Sequence, residues 1–244
     1  MKKNLINNSI NLNTERFFMS KNKDIVALEL MSELKNYNRY VNNLMLEHIH
    51  KSPVLDFGSG FGNFCQFLET SGFISHGLEI DSEAIEESKK KNIKTFHSIS
   101  QIEDCYPVVT SLNVIEHIED DRKVLADIKT IIEEEGLLVL YVPASMKAWS
   151  QMDVDAGHHR RYEKSDIIEK LTENNFKIIH FQYKDFAGWL ILVLFRLLRI
   201  KPKFNKRLII FYDTYFFPIL KMLDFIGGRF IGKNMLVVAK HTKQ

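Results

Sequence analysis

The sequence predicts an α/β fold: a mostly parallel sheet covered on both faces by helices, with a helical insertion ahead of an antiparallel last strand. Three observations predict it. Short apolar runs alternate with helical stretches from residue 54 to 183, the pattern of a parallel sheet buried on both faces. The first run leads into a glycine-rich turn, "VLDFGSGFGNF", Val54 to Phe64. A last strand-like segment, "NMLVVAKH", Asn234 to His241, comes only after an apolar and basic stretch of about 50 residues, far beyond an ordinary loop.

The elements follow in order. Residues 1–23 are rich in Asn and Lys and read as a mobile N-terminal arm. Residues 24–50 carry apolar positions at helical spacing and predict two helices with a break near "KNYN", Lys35 to Asn38. "PVLDF" reads as a strand and "FGNFCQFLETSG" as a helix closed by Gly72. "ISHGLEI" is a strand, and "DSEAIEESKKKN" a helix capped by Asp81 or Ser82. "IKTFHS" and "PVVTSLNVI" are strands, and "DDRKVLADIKTIIEEEG" a helix stopped by Gly136. "LLVLYVPA" is a buried strand, "EKSDIIEKLTENN" a helix and "FKIIHFQY" a strand. Right-handed crossovers connect the parallel strands. The expected organisation is therefore a core over 24–183, an insertion over 184–233, and a last strand with tail over 234–244.

The bulk properties exclude several classes. The chain has 244 residues, 45% apolar and 26% charged, a globular composition. Net charge is +2, so no nucleic-acid partner is expected. Cys65 and Cys105 are the only cysteines and suggest neither a disulfide scaffold nor a thiolate metal site. The start is basic but has no apolar core, unlike a secretory signal, and the longest apolar run is too short to span a bilayer. The expected location is the cytoplasm, at the inner face of the membrane if the insertion docks there.

The glycine turn sits where an open parallel sheet binds ligands, beyond the carboxyl ends of its strands. Gly58 and Gly60 let the backbone turn tightly and approach a ligand. Glu79 ends the next strand, 23 residues after Asp56, where an acid holds ribose hydroxyls. A dinucleotide fold needs G-x-G-x-x-G/A, but its third position is Asn63 here, and the glycines fall at 58, 60 and 62. Asp56 before the first glycine would repel a pyrophosphate, yet it suits a cofactor carrying an ammonium and a sulfonium.

These residues resemble the class I S-adenosylmethionine-dependent methyltransferases, in the subgroup of the ubiquinone-pathway O-methyltransferases. "VLDFGSGFGNF" is similar to their first motif and "GLEID" to their second. "VVTSLNVIEHIEDD", "EEEGLLVLYVPA" and "GHHRRYEKSDIIEKLTENNF" resemble later ones, so the likeness runs from Tyr37 to Tyr183. It implies a Rossmann-like, seven-stranded methyltransferase fold and S-adenosyl-L-methionine as cofactor. It also implies that Asp56, Gly58, Ser59 and Gly60 line the methionine end and that Glu79 binds the ribose. Ile80 and the turn at Ser98 would flank the adenine, and Leu112 and Asn113 would approach the sulfonium. Asn113 departs from many relatives, which carry glutamate or glutamine there.

Methyl transfer is an in-line displacement, and an acceptor hydroxyl also needs a base. The polar loop "SMKAWSQMDVDAGHHRRYEK" offers His158 or His159 as that base, with Asp153 or Asp155 to orient the ring. Arg160, Arg161 and Tyr162 are candidates for holding the acceptor. The competing reading has His158 and Arg160 pinning the loop, with Arg161 paired to Asp153. Glu116 and His117 end the fourth-strand motif. Some relatives, the small-RNA 2′-O-methyltransferases, use E-x-x-E-H and a later histidine to hold a divalent metal, but Asn113 replaces the first glutamate here. Glu116, His117 and His158 remain as a partial site; the favoured expectation is no metal, with Glu116 and His117 capping the next helix and pairing locally.

The insertion begins "FAGWLILVLFRLLRI" and continues "LIIFYDTYFFPILKMLDFIGGRFI". Asp213, Thr214, Lys221 and Asp224 are expected to form a narrow polar strip beside a wide apolar face. Arg196, Arg199, Lys201, Lys203, Lys206 and Arg207 cluster between the two segments. This combination suits an anionic membrane surface, or a pocket for an acceptor with a lipid tail and a phosphate; a self-packed lid and a subunit interface are the other readings. The function expected is O-methylation of a small-molecule, glycan or lipid-linked acceptor. A nicotinamide-dependent oxidoreductase and a catalytically idle cofactor-binding module are the alternatives.

Overall fold

The structure is a computed structural model that describes residues 28–200 and 206–243. The expected arm over 1–23 lies outside the described residues, as do Lys201 and Lys203 of the basic cluster. After a helical turn over residues 28–32, the order is α1 (Lys35–Leu46), β1 (Val54–Phe57), α2 (Asn63–Thr70), β2 (Ser75–Leu78), α3 (Ser82–Lys90) and β3 (Lys94–Phe96). Then come β4 (Tyr106–Leu112), α4 (Asp121–Thr130), β5 (Ile132–Pro143), α5 (Gln151–Asp155), α6 (Lys164–Glu173) and β6 (Phe176–Lys184). The insertion holds α7 (Phe186–Leu197), α8 (Lys206–Phe211), α9 (Phe217–Leu220) and α10 (Asp224–Gly227), and β7 (Asn234–His241) closes the sheet.

The seven strands run in the order β3-β2-β1-β4-β5-β7-β6. All pairs are parallel except those of β7, which is antiparallel to both β5 and β6. Strand alternation divides the core in two. Leu55, Val109, Leu138, Leu140 and Val237 face α4 and α6, packing with Leu125, Ile128, Ile167 and Leu171. Val54, Val108, Val139, Tyr141 and Val238 face α1 and α2, packing with Val41, Met45, Phe64 and Leu68. Successive side chains on a strand point to opposite faces, which explains why these runs read as continuously apolar. β6 runs parallel to β5, so the insertion leaves from the sheet edge at which the glycine turn sits.

Two boundaries and one helix face differ from expectation. The first helical break falls at Glu33 and Leu34, and "KNYN" instead begins α1. The helix expected to reach Gly136 ends at Thr130, because Ile131 and Ile132 are buried and Ile132 pairs with Tyr106. Gly136 marks a kink inside β5, where a Cβ would lie 2.8 Å from the Glu133 carbonyl. The polar strip of the insertion does not form. Asp213 and Asp224 turn inward and are buried, while Thr214 and Lys221 face out.

Candidate active site

The glycine turn is anchored from both sides. Gly58 and Ser59 donate their amides to the Leu78 carbonyl at 2.8 and 3.1 Å, which ties the turn to the end of β2. Gly58 has φ +76°, and a Cβ there would meet Val114 at 2.5 Å, so backbone conformation and space both require glycine. Gly62 caps α2 in the left-handed region, and Leu28 lies over Gly60.

Asp56 sits under this turn, 3% exposed, and accepts from the Thr110 hydroxyl at 2.9 Å. Burial pushes its carboxyl up to about 7; the Thr110 hydrogen bond opposes the rise and nearby Glu79 adds to it. Glu79 closes the turn from the other side. Its carboxylate accepts from the amides of Gly60, Ile80 and Asp81 at 2.8, 2.8 and 2.9 Å. Three of its roughly four acceptor positions are thus filled, and about one remains for a ligand. Ser59 turns its hydroxyl toward Gly77, where a Cβ would lie 2.4 Å away, and the hydroxyl has no hydrogen-bond partner. Ile80 is exposed at the rim, and Ser98 opens the short turn after β3. Leu112 ends β4, and Asn113 follows with φ +51° and its amide on the Tyr141 carbonyl.

The polar loop meets β4 beside this crevice. Asp153 is buried and accepts from His158 Nδ1 at 2.9 Å and from Arg161 Nε at 2.7 Å. The Ser150 amide and hydroxyl fill its other oxygen. Burial alone would raise this carboxyl, but His158, Arg161 and Ser150 outweigh burial and hold it below the usual range. With Nδ1 bound to Asp153, His158 Nε2 lies 4.0 Å from Glu116 Oε1. Glu116 is fully buried and neither of its oxygens has a hydrogen-bond partner. Burial drives its carboxyl up to about 8, against the pull of its own backbone and of Arg161. His117 packs edge-on against His158 at 4.7 Å. Burial of the ring and the neighbouring imidazoles of His158 and His159 hold it down at about 4. Ligand atoms of Glu116, His117 and His158 all lie within 4.8 Å of one another.

The structure corrects several expectations here. Helix α4 is capped by Asp120, which accepts from the Lys123 amide, so Glu116 and His117 cap nothing. Arg161 is buried and donates to Asp153 and to the carbonyls of Ala144 and Lys233, so it cannot reach an acceptor. Tyr162 is fully buried with its hydroxyl on Asp121. Arg160 is engaged by Asp121 and the Glu119 carbonyl. The competing reading of this "RRY" run, that it pins the loop, is therefore the one the geometry matches. His159 is exposed, and its amide donates to the Glu116 carbonyl. Sequence reasoning missed the orphaned carboxylate of Glu116, because burial leaves no mark in an isolated Glu-His pair.

Residues 27–181 match the family model described as a methyltransferase domain. No curated protein matches the chain. Among solved structures, one similar chain comes from a complex between the Haloferax volcanii Trm112 methyltransferase activator and a methyltransferase. It is 12% identical with a TM-score of 0.60, over 89% of this chain and 96% of that one. Magnesium protoporphyrin IX methyltransferase from Synechocystis PCC 6803 with bound S-adenosylhomocysteine is 13% identical, TM-score 0.54, over 85% and 84%. An S-adenosylmethionine-dependent methyltransferase from Archaeoglobus fulgidus is 16% identical, TM-score 0.55, over 83% and 94%. At these identities the likeness is one of fold.

Proposed function

The chain belongs to the methyltransferase-domain family, and from that premise we propose that it methylates a hydroxyl of a small, glycan or lipid-linked acceptor with S-adenosylmethionine as donor. The observation that carries the reading is Asp56: a buried carboxyl with one hydroxyl partner, beneath a turn that glycines keep open. Such a group fits the ammonium of the cofactor's methionine end and would repel a pyrophosphate. The remaining acceptor position of Glu79 then serves the ribose. Ile80 and Ser98 flank the base, while Leu112 and Asn113 border the reacting centre.

When bound, the cofactor supplies a methyl group activated by a sulfonium. Transfer would join an acceptor oxygen to that carbon as the sulfur–methyl bond broke, with S-adenosylhomocysteine as the leaving group. Asp153 fixes the His158 ring through Nδ1, so Nε2 is the nitrogen left to take the hydroxyl proton. His159, exposed on the same loop, is the weaker candidate. Alignment of oxygen, carbon and sulfur supplies much of the acceleration.

A second reading is favoured by one observation, the missing partner of both Glu116 oxygens. Glu116, His117 and His158 would hold a divalent cation, with Asp153 orienting His158 from behind. A cation there would lower the pKa of an acceptor hydroxyl. Chelation separates the two: the histidine-base reading expects turnover to survive EDTA, and the cation reading expects loss and recovery on adding Mn²⁺ or Zn²⁺.

Equilibrium binding tests the donor. S-adenosylhomocysteine should bind more tightly than NADH, and the reverse order would replace the proposal with the oxidoreductase alternative. Cofactor binding without labelled methyl transfer to any cell fraction would favour the idle module instead.

A further inference from the structure

Two acids, Asp213 and Asp224, are the only ones between residues 186 and 230. Both point inward. Asp213 accepts from the amides of Asn36 and Tyr37 at 2.9 and 2.8 Å, at the start of α1. Asp224 accepts from the amides of Asp185 and Phe186 at 2.9 and 2.7 Å, and from the Tyr40 hydroxyl. Phe217 is buried edge-on against Tyr37 and Tyr40. The insertion is thus fastened to the core on its inner side, and its negative charge is used there.

Its outer side has the opposite character. Among the described residues, fifteen of the twenty-one exposed large apolar side chains lie between Leu190 and Phe230. Leu197, Phe225 and Phe230 are 74%, 81% and 79% exposed. Among the described residues, the exposed charges of α7 to α10 and their connections are Arg196, Arg199, Lys206, Arg207, Lys221 and Arg229, all basic, with Lys206 paired to Glu33 ahead of α1 at 2.9 Å. An exposed apolar patch of this extent marks an interaction surface.

We propose that this outer face docks onto an anionic lipid bilayer, lying in the interface and holding the cofactor crevice against the membrane. Charge complementarity selects the occupant. A two-fold contact between copies would set the same patch against itself, and basic groups would meet basic groups with no exposed acid of the patch to pair them. An anionic bilayer supplies an apolar interior for the Phe and Leu side chains and negative headgroups for the Arg and Lys side chains. No described helix is long and apolar enough to cross a membrane, so the contact is interfacial. The face also lies beside the catalytic edge. Trp189 Nε1 donates to Ser145 Oγ at 3.2 Å, and Arg196 donates to the carbonyls of Met146 and Lys147, on the loop after β5. The inference deepens the methyl-transfer reading by naming the surface that presents the acceptor. Its readout needs no turnover, so either can fail alone.

Co-sedimentation with vesicles tests it. The full chain should sediment with phosphatidylcholine–phosphatidylglycerol vesicles at low salt, much less with phosphatidylcholine alone, and progressively less as salt rises. Arg199→Glu/Lys221→Glu should weaken anionic binding by roughly tenfold or more. Phe225→Ser/Phe230→Ser should weaken it as much while preserving the salt dependence. Unchanged S-adenosylhomocysteine binding would show that both variants remain folded. No binding to anionic vesicles at low salt overturns the proposal. So does binding that ignores lipid charge and both variants, or a dimer by light scattering that Phe225→Ser/Phe230→Ser dissolves without vesicle binding.

Discussion

Asp56 loses contact with water and gains only the Thr110 hydroxyl, so its carboxyl rises to about 7. The unfolded chain releases that proton near 3.8. Between these values the folded state holds more protons than the unfolded one, so this group's stabilising contribution is full below about 4 and lost as pH rises through 7. A cofactor ammonium prefers the carboxylate, so affinity for S-adenosylhomocysteine should rise with pH up to about 7. In Asp56→Asn both trends should flatten, as thermal melts and calorimetric titrations across pH would read. A pH dependence that survives that substitution would assign the titration elsewhere. His158 offers a second test: His158→Ala should lower kcat by about 10²-fold or more with cofactor affinity retained, and wild-type turnover would end its role as base. The sequence narrowed this pair to His158 or His159 with Asp153 or Asp155, all within one polar segment, and the folded chain selects His158 and Asp153. The fate of Arg161 and Tyr162 was not, because their type is equally suited to holding an acceptor and to filling the buried loop.

Helix α1 has Leu34 at its N-cap position, and that residue has no side chain able to cap it. Asp213 performs that task from 177 residues away, and the π-helical turn Tyr212–Phe216 is what turns it inward. Asp213→Ala should therefore cost about 1–2 kcal/mol and lower Tm by about 2–8 °C in a calorimetric melt. Asp213→Asn, which keeps an acceptor, should lose less. Local patterns found every core strand and every core helix but the short α5, which read as part of a polar loop, because alternation and capping signals act within a few residues. They failed at the end of α4, where Ile132 joins β5 by pairing with Tyr106. They failed again in the insertion, where a helical wheel placed Asp213 and Asp224 on the outside.

The whole molecule sets three things on one edge: the glycine turn, the loop of His158 and the apolar roof. β7 makes this possible, since its antiparallel start at Asn234 returns the chain from the edge where β6 ends. On the proposed docking, a crevice held at the bilayer would draw its acceptor from it. Radiolabelled methyl from S-adenosylmethionine, supplied with lipid and aqueous extracts of source cells, should therefore partition with the lipid. Label confined to the aqueous fraction would favour a soluble acceptor and leave the vesicle result to be read separately.

By itself the sequence determined the alternation of strands and helices, the glycine turn with Asp56 and Glu79, and the unusual composition of the insertion. These are written in periodicity, glycine spacing and composition, which depend on near neighbours in the chain. Tertiary structure alone decided which polar groups lost their water. It buried Arg161 and Tyr162 as loop anchors, left Glu116 without a partner beside two histidines, and turned the acids of the roof inward so that only basic charge faces out. Burial depends on contacts between residues far apart in the chain, and no local pattern encodes it.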